Sequence, residues 1–211
     1  MKIITSTVTF IYMLLACTHF GIAQNNGIEL LRAAAEGKAD RISTLIKRGS
    51  DPNFATKSGD TAIKYAAIKD NVEAIKILSE HGANLNPTDA NGNTPRILAA
   101  FQGNKEAVDA LLEAGADTES ITSSGATAIY AAASKGYYEI VESLVSHGAV
   151  VNKATHAGIT PLMQAAAKGS AETIKVLLDA GADKNYTNND GESATDWALQ
   201  KDHAAIAKML N

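Results

Sequence analysis

Residues 158–183 read GITPLMQAAAKGSAETIKVLLDAGAD, and this order of residues decides the fold of the chain. The order returns every 33 residues. Glycine opens five such copies, at Gly59, Gly92, Gly125, Gly158 and Gly191. Threonine follows two positions later in four of them, and Ser193 takes that place in the fifth. Alanine pairs recur in register at 33–34, 66–67, 99–100, 132–133 and 165–166. A period of this length indicates an array of stacked structural units.

Each copy carries the signals of two short helices. The threonine stands where a helix N-cap accepts a backbone N–H, and Pro95 and Pro161 follow at the first helical position, where a missing N–H costs nothing. The alanine pair allows this first helix to lie close to its neighbours. The second helix has apolar residues at helical spacing, such as Ile140 and Leu144, and a glycine such as Gly148 follows its end. One copy cannot bury both of its faces, so the core forms by stacking.

The turn glycine, the Thr-Pro-Leu segment, the alanine pair, the aliphatic second helix and the Gly-Ala-Asp turn resemble the ankyrin repeat. The resemblance implies an all-α ankyrin-repeat solenoid of paired antiparallel helices with β-hairpin fingers, in about six repeats. It divides the chain into an N-terminal capping repeat (24–58), four internal repeats (59–91, 92–124, 125–157 and 158–190) and a C-terminal capping repeat (191–211). Arg96 stands where a core leucine is expected, which predicts a local shift or lower stability in its repeat.

The first residues, 1–23, are predicted to be a signal peptide. Lys2 precedes an apolar run that is too short for a membrane span, and small residues allow cleavage between Ala23 and Gln24. One alternative is lipidation of Cys17, because residues 14–17 (Leu-Leu-Ala-Cys) resemble a bacterial lipobox. Another is an N-terminal anchor that is never cleaved. We therefore expect an exported protein, periplasmic or secreted, with no membrane span in the mature chain, and a lipid-anchored envelope protein as the alternative.

Composition and spacing exclude several classes of function. The 211 residues carry a net charge of −4, so the chain lacks the basic character that nucleic-acid binding usually requires. A single cysteine excludes a disulfide framework. His81 and His147 lie two copies apart, too far to share a metal ion. No phosphate-binding loop or nucleophile motif occurs. The sequence therefore predicts a protein that is not an enzyme and that needs no cofactor or metal.

The resemblance also implies where a partner protein binds, because ankyrin-repeat proteins use their finger tips and the exposed ends of their first helices. On the fingers, the candidate partner-binding residues are Lys57, Asp60, Asn91, Asn93, Ser124, His156 and Ile159. On the first helices, they are Tyr65, Ile68, Lys69, Phe101, Gln102, Lys135, Lys168 and Lys201. The two sets are expected to line one concave groove.

Lysine recurs at one position of the first helices. This lysine row consists of Lys69, Lys135, Lys168 and Lys201, and Gln102 interrupts it. One interpretation is a site for an acidic stripe on a protein partner. The other is that each lysine complements the negative C-terminal end of its helix. Phe101 and Ile68 are interpreted either as apolar anchors for the partner or as packing between repeats, and the same two interpretations apply to Tyr65 and Ile159 near them.

The function expected from these features is that of an exported, monomeric, non-catalytic scaffold that binds a protein partner. Two alternatives stay open. The protein could be a secreted effector or an enzyme-associated regulatory protein, which a buried pair of interacting titratable groups in the groove would favour. It could also be a structural component of the cell envelope that is tethered through Cys17.

Overall fold

The computed structural model describes residues 25–211. The predicted signal peptide, its cleavage site between Ala23 and Gln24, and the alternative lipidation site Cys17 lie outside the described residues. Within residues 25–211, no helix is long and apolar enough to cross a membrane.

Twelve helices follow one another along the described residues and form six pairs. They are α1 (25–35), α2 (Ala39–Lys47), α3 (Ala62–Ile68), α4 (Val72–Glu80), α5 (Pro95–Gln102), α6 (Lys105–Glu113), α7 (Ala128–Lys135), α8 (Tyr138–Ser146), α9 (Pro161–Lys168), α10 (Ala171–Asp179), α11 (Ala194–Gln200) and α12 (Ala204–Leu210). From α3 to α11, each first helix packs on the first helix of the next pair. The second helices from α2 to α10 stack in the same way. This arrangement confirms the predicted helical solenoid, while the exact repeat boundaries stay a prediction.

The predicted N-caps are present on all five first helices from α3 to α11. The cap residues are Thr61, Thr94, Thr127, Thr160 and Ser193, and each side chain accepts a hydrogen bond from the backbone N–H three residues later. An N-cap of this kind stabilises a helix by about 1 kcal/mol. Pro95 and Pro161 occupy the first turn, as expected. These caps fix the start of each first helix, and so they fix the position of the finger that precedes it.

The alanine pairs are completely buried between neighbouring first helices. They are Ala66 and Ala67, Ala99 and Ala100, Ala132 and Ala133, and Ala165 and Ala166. A methyl side chain lets two helix backbones approach closely, so the stack is thin and its core contains few large side chains. The second helices supply the larger aliphatic residues of the core, such as Ile75, Leu111 and Ile140. The low aromatic content of the sequence is therefore a consequence of this packing.

The fingers are tight turns, and the predicted β-hairpins are largely absent from residues 25–211. The one bridge there with β geometry is isolated and joins Ala55 to Thr61. Two backbone hydrogen bonds close each tip, as when Ile159 accepts from the N–H of Thr155 at 3.0 Å. Neighbouring tips are also joined, because the N–H of Ser123 donates to the carbonyl of Asn91 at 2.8 Å. The tips are too short for a longer ladder, but bonds of this kind join the four fingers from 89–93 to 188–192.

Polar side chains connect successive repeats in the turns that follow the second helices. Asn86 accepts a hydrogen bond from the N–H of Asp117 in the next repeat at 3.0 Å. Asn53, Glu119 and Asn152 accept in the same way from the repeat that follows each of them. These four residues lie 33 positions apart. They fix the register between copies at a position that the sequence analysis did not single out.

Arg96 fills a core position without shifting its helix. Its repeat equivalents are Ile63, Ile129 and Leu162, and all four side chains are buried. Helix α5 has the same length as α7 and α9, so the predicted local shift is not observed. A guanidinium N–H donates to the carbonyl of Asp117.

Candidate functional site

A concave pocket of about 480 Å³ opens on the face where the fingers meet the first helices. We call it the Phe101 pocket. Its walls come from the two neighbouring first helices α5 and α7 and from the two fingers that precede them. Twelve residues line it: Asn91, Asn93, Ile97, Leu98, Phe101, Thr122, Ser123, Ser124, Ala126, Tyr130, Ala131 and Ser134. Four of the predicted partner-binding residues, Asn91, Asn93, Phe101 and Ser124, are therefore brought together here.

The pocket exists because the residue at one position of the repeat is unusually small in the copy that contains α7. This position, which we call the filler position, is held by Tyr65, Leu98, Ala131, Gln164 and Trp197 in successive copies. Ala131 is the smallest of the five, and it leaves a gap beside Phe101 and Tyr130. At the next interface, the amide of Gln164 occupies the corresponding space and donates to the hydroxyl of Tyr130 at 2.6 Å. A difference in side-chain size between copies thus creates the pocket.

Phe101 is the most exposed aromatic residue at the pocket. Its side chain is 47% exposed, although large apolar residues are usually buried more fully. The Nζ of Lys135 lies 4.0 Å from the centre of the Phe101 ring, which is a cation–π contact. Ser134 takes the place of Phe101 in the next repeat, so no large side chain covers the ring from that side. Phe101 is therefore held in place by Lys135 and still open to solvent.

The lysine row stands at the C-terminal ends of first helices α3, α7, α9 and α11. Lys69, Lys168 and Lys201 are exposed, while Lys135 is half-buried against Phe101. The aliphatic chain of Lys168 lies against Gly136, the residue after Lys135. The ion pairs among residues 25–211 join Glu29 to Arg32 and Arg41, Lys64 to Asp60, and Lys105 to Asp109. None of these pairs uses a lysine of the row, so each amino group of the row lacks a carboxylate partner within the described part of the chain.

The other predicted site residues lie outside the Phe101 pocket. Lys57 and His156 are exposed on fingers, and Gln102 is exposed at the end of α5. Tyr65 and Ile159 are half-buried and pack against the core, which agrees with the structural interpretation given for apolar residues of this surface. Ile68 is half-buried at the end of α3.

Asp60 is engaged within its own finger. Its Oδ1 accepts from the Nζ of Lys64 at 2.8 Å, and its Oδ2 accepts from the hydroxyl of Ser58 at 2.6 Å. The hydrogen bond from Lys64 is the main cause that lowers the pKa of the Asp60 carboxyl, and the bond from Ser58 adds to it. Asp60 therefore neutralises Lys64, whose side chain is buried. It is less available to a partner than the sequence analysis expected.

Tyr130 and Ala131 are the most informative residues that sequence reasoning missed. Burial raises the pKa of the Tyr130 phenol, and the hydrogen bond from Gln164 opposes this shift. The Tyr130 ring forms one wall of the Phe101 pocket, and the small side chain of Ala131 leaves the gap inside it. The signal was present in the sequence, because a comparison of side-chain sizes at the filler position would have shown that Ala131 is smaller than its equivalents.

The titratable side chains around the pocket are few in the described part of the chain. Tyr130 is the one residue of the pocket lining with a titratable side chain. Among residues 25–211, no group of three or more histidine, cysteine or carboxylate side chains could hold a metal ion. A larger cavity of about 560 Å³ lies at α1 and α2, but its Glu29, Arg32 and Arg41 side chains pair with one another. The lining of the Phe101 pocket is therefore mainly apolar and uncharged.

Comparison with protein families agrees with the periodicity and the fold. A family model described as ankyrin repeats in three copies matches residues 30–122, 88–155 and 152–211. Comparison with curated protein sequences found none that matches the chain. The matched residues extend over most of the chain, and they coincide with the helix pairs and finger turns described above. The chain therefore belongs to the ankyrin-repeat family.

Proposed function

We propose that this protein is an exported, monomeric scaffold that binds a protein partner without catalysis, through the groove formed by its finger tips and first helices. Ankyrin repeats generally mediate protein–protein interaction, and proteins of this family are typically non-enzymatic scaffolds. The Phe101 pocket is the observation that supports the proposal most directly. It is an open apolar pocket on the groove face of a chain whose other large apolar residues are mainly buried. Aromatic residues at the centre of an interface often dominate its binding energy.

The groove is ordered before any partner arrives. Backbone hydrogen bonds join the finger tips, such as the bond from the N–H of His156 to the carbonyl of Ser124 at 2.9 Å. The N-caps fix the helices that carry Phe101 and Lys135. A preordered surface loses little conformational entropy on binding, so a larger part of the contact energy contributes to affinity. The rigid stack therefore supports a role in recognition.

Site-specific photo-crosslinking tests this proposal. A benzophenone amino acid replaces Phe101 in one variant and Tyr138 in a control, because both side chains have similar exposure and Tyr138 lies on second helix α8. Both variants are expressed in the source cells and irradiated. We expect a covalent adduct with a discrete protein at position 101 and none at position 138. Adducts at position 138 alone, or at neither position, would contradict binding through the groove.

Export is a separate part of the proposal and rests on the residues 1–23. Mass spectrometry of the mature N-terminus distinguishes the two processing routes. A chain that begins at Gln24 supports cleavage after Ala23 and a periplasmic or secreted protein. A chain that begins at a lipidated Cys17 would instead support the membrane-anchored alternative, and an intact Met1 would contradict both routes.

A further inference from the structure

We propose that the Phe101 pocket receives a single apolar side chain, leucine or phenylalanine in size, from an extended acidic segment of the partner. This inference rests on the proposed function, and it adds the chemistry of the segment that is bound. The apolar side chain would enter the gap beside Ala131. Carboxylates on either side of it would pair with lysines of the row, chiefly Lys135.

The apolar anchor follows from the walls of the pocket. Ile97, Leu98, Phe101, Tyr130 and Ala131 supply its inner surface, and no charged side chain lines it. The two fingers add asparagine, serine and threonine side chains, of which Asn91, Ser123 and Ser124 are exposed. A pocket of this kind favours an apolar group, because a charged group would lose hydration there without gaining a partner. Its volume of about 480 Å³ exceeds that of one large side chain, so the pocket leaves room for such a side chain together with the adjoining backbone of an extended segment, but not for a folded element.

The acidic flanks follow from charge complementarity. The chain has a net charge of −4, yet Lys69, Lys135 and Lys168 stand at the C-terminal ends of the first helices α3, α7 and α9, and the Nζ of Lys135 reaches the Phe101 ring. These amino groups have no carboxylate within ion-pair distance in residues 25–211. Helix α5 ends in the neutral Gln102 between Lys69 and Lys135, so the positive charge flanks the Phe101 ring on both sides along the row. A segment with carboxylates around its apolar anchor matches this order of charges.

The extended form of the bound segment follows from the polar finger residues that border the pocket. Asn91, Ser123 and Ser124 are exposed at the finger tips that border the pocket. The side-chain amide of Asn91 makes no hydrogen bond within residues 25–211, so it can donate to and accept from a peptide backbone. An extended peptide presents its own unpaired N–H and C=O groups to such a rim. In a helix these groups would already be paired by hydrogen bonds within the helix, and the helix would present a broader face than one pocket can hold.

Fluorescence polarisation with labelled heptapeptides tests the inference. The central residue is phenylalanine, leucine or alanine, and the flanking residues are aspartate, serine or lysine. We expect the peptide with phenylalanine and aspartate to bind most tightly. Exchange of its phenylalanine for alanine should weaken binding about 10- to 100-fold, as loss of one buried aromatic side chain predicts. Exchange of aspartate for lysine should abolish measurable binding.

Variants of the protein assign the binding to this pocket. Ala131→Leu introduces the residue that Leu98 provides in the preceding repeat, so it should fill the pocket, keep the helical content and reduce peptide binding at least about tenfold. Lys135→Glu should reverse the charge preference and favour the lysine-flanked peptide. Tyr138→Ala, on second helix α8, is the matched control and should leave the affinity unchanged. Circular dichroism verifies that each variant is folded.

The outcomes separate this inference from the proposed function. Equal binding of aspartate- and lysine-flanked peptides, no peptide binding, or unchanged binding by Ala131→Leu would overturn the inference. If the crosslink at position 101 still forms in that case, the groove binds a partner of different chemistry and the proposed function stands. If the crosslink fails while the peptides bind as expected, the pocket recognises acidic segments but the groove does not serve a protein partner in the cell.

Discussion

Replacement of Arg96 by leucine should stabilise the protein, because Arg96 is a buried cation in a position built for an aliphatic residue. Its side chain is completely buried, and its equivalents are Ile63, Ile129 and Leu162. Within residues 25–211, the Nε and Nη1 atoms of Arg96 have no hydrogen-bond partner. One N–H group donates to the carbonyl of Asp117. Burial lowers the pKa of the guanidinium, although nearby carboxylates oppose the shift.

The size of the effect follows from these contacts. A buried polar group without a partner costs about 1–3 kcal/mol, and exchange of buried charges for apolar residues often stabilises a protein by about 1–4 kcal/mol. The loss of the bond to Asp117 costs little, because this residue is exposed and its carbonyl can bind water instead. We therefore expect Arg96→Leu to raise the free energy of unfolding by about 2 kcal/mol. For a chain of this length, Tm should rise by about 4–8 °C.

Equilibrium urea unfolding of residues 24–211, followed by circular dichroism, measures this change. Leu162→Arg is the matched control, because it places the same cation at the same repeat position in α9 and should destabilise the protein by a similar amount or more. Arg96→Lys retains a buried charge and should bring no gain. A urea midpoint for Arg96→Leu that is equal to or below that of the wild type would refute the reasoning. The guanidinium would then contribute more to folding than its contacts indicate.

Two further predictions concern residues with left-handed backbone conformation. Asp70 has φ of 57°, its Oδ1 accepts from the N–H of Ala107 at 2.8 Å, and burial raises the pKa of its carboxyl. The stability that protonation of Asp70 contributes is present below the pKa of this group in the unfolded chain, and it is lost as the pH rises through the pKa in the folded chain. The urea midpoint of Asp70→Asn should therefore exceed that of the wild type by a larger margin at neutral pH than at about pH 4. A margin that is the same at both pH values would exclude this linkage. Gly92→Ala should lower Tm more than Gly115→Ala, because a Cβ at Gly92 would lie 2.9 Å from the backbone nitrogen of Ser123, while one at Gly115 would meet nothing within 4 Å. The strain shared by both variants is about 1–2 kcal/mol, and equal losses of Tm would show that the finger yields to the added methyl group.

The helices were predictable from the sequence because local chemistry determines them. Threonine at a cap, proline in the first turn and aliphatic residues at helical spacing all act within one copy, and each recurs in register. The β-hairpin fingers were less predictable, because the two sides of a finger such as 155–159 meet over too few residues to form a ladder. Their bonds run instead from tip to tip, between residues such as Ser123 and Asn91, and a single copy carries no signal for such contacts.

The candidate site was predictable in part for a related reason. Phe101, Asn91, Asn93 and Ser124 were found because the family pattern places them on the groove, whatever their neighbours are. Ala131 was not found, because an alanine in a helix carries no functional signal of its own. Its meaning depends on the larger residues at the filler position in the adjacent copies, such as Leu98 and Gln164, and on the gap that the difference in size leaves.

Arg96 and Ala131 together indicate why the pocket lies at the interface of α5 and α7. In a repeat array, stability is approximately a sum of contributions from each repeat and from each interface between neighbours. A buried cation in α5 and an unfilled gap against α7 therefore reduce stability at the interface of these two helices. The next interface, between α7 and α9, is better filled because Gln164 closes the gap, and it stabilises α7 from the other side. The loss at the interface of α5 and α7 leaves Phe101 and Tyr130 open to a ligand. Filling the gap with Ala131→Leu should thus raise stability and remove the pocket together, which would link the weak interface to the binding site in one variant.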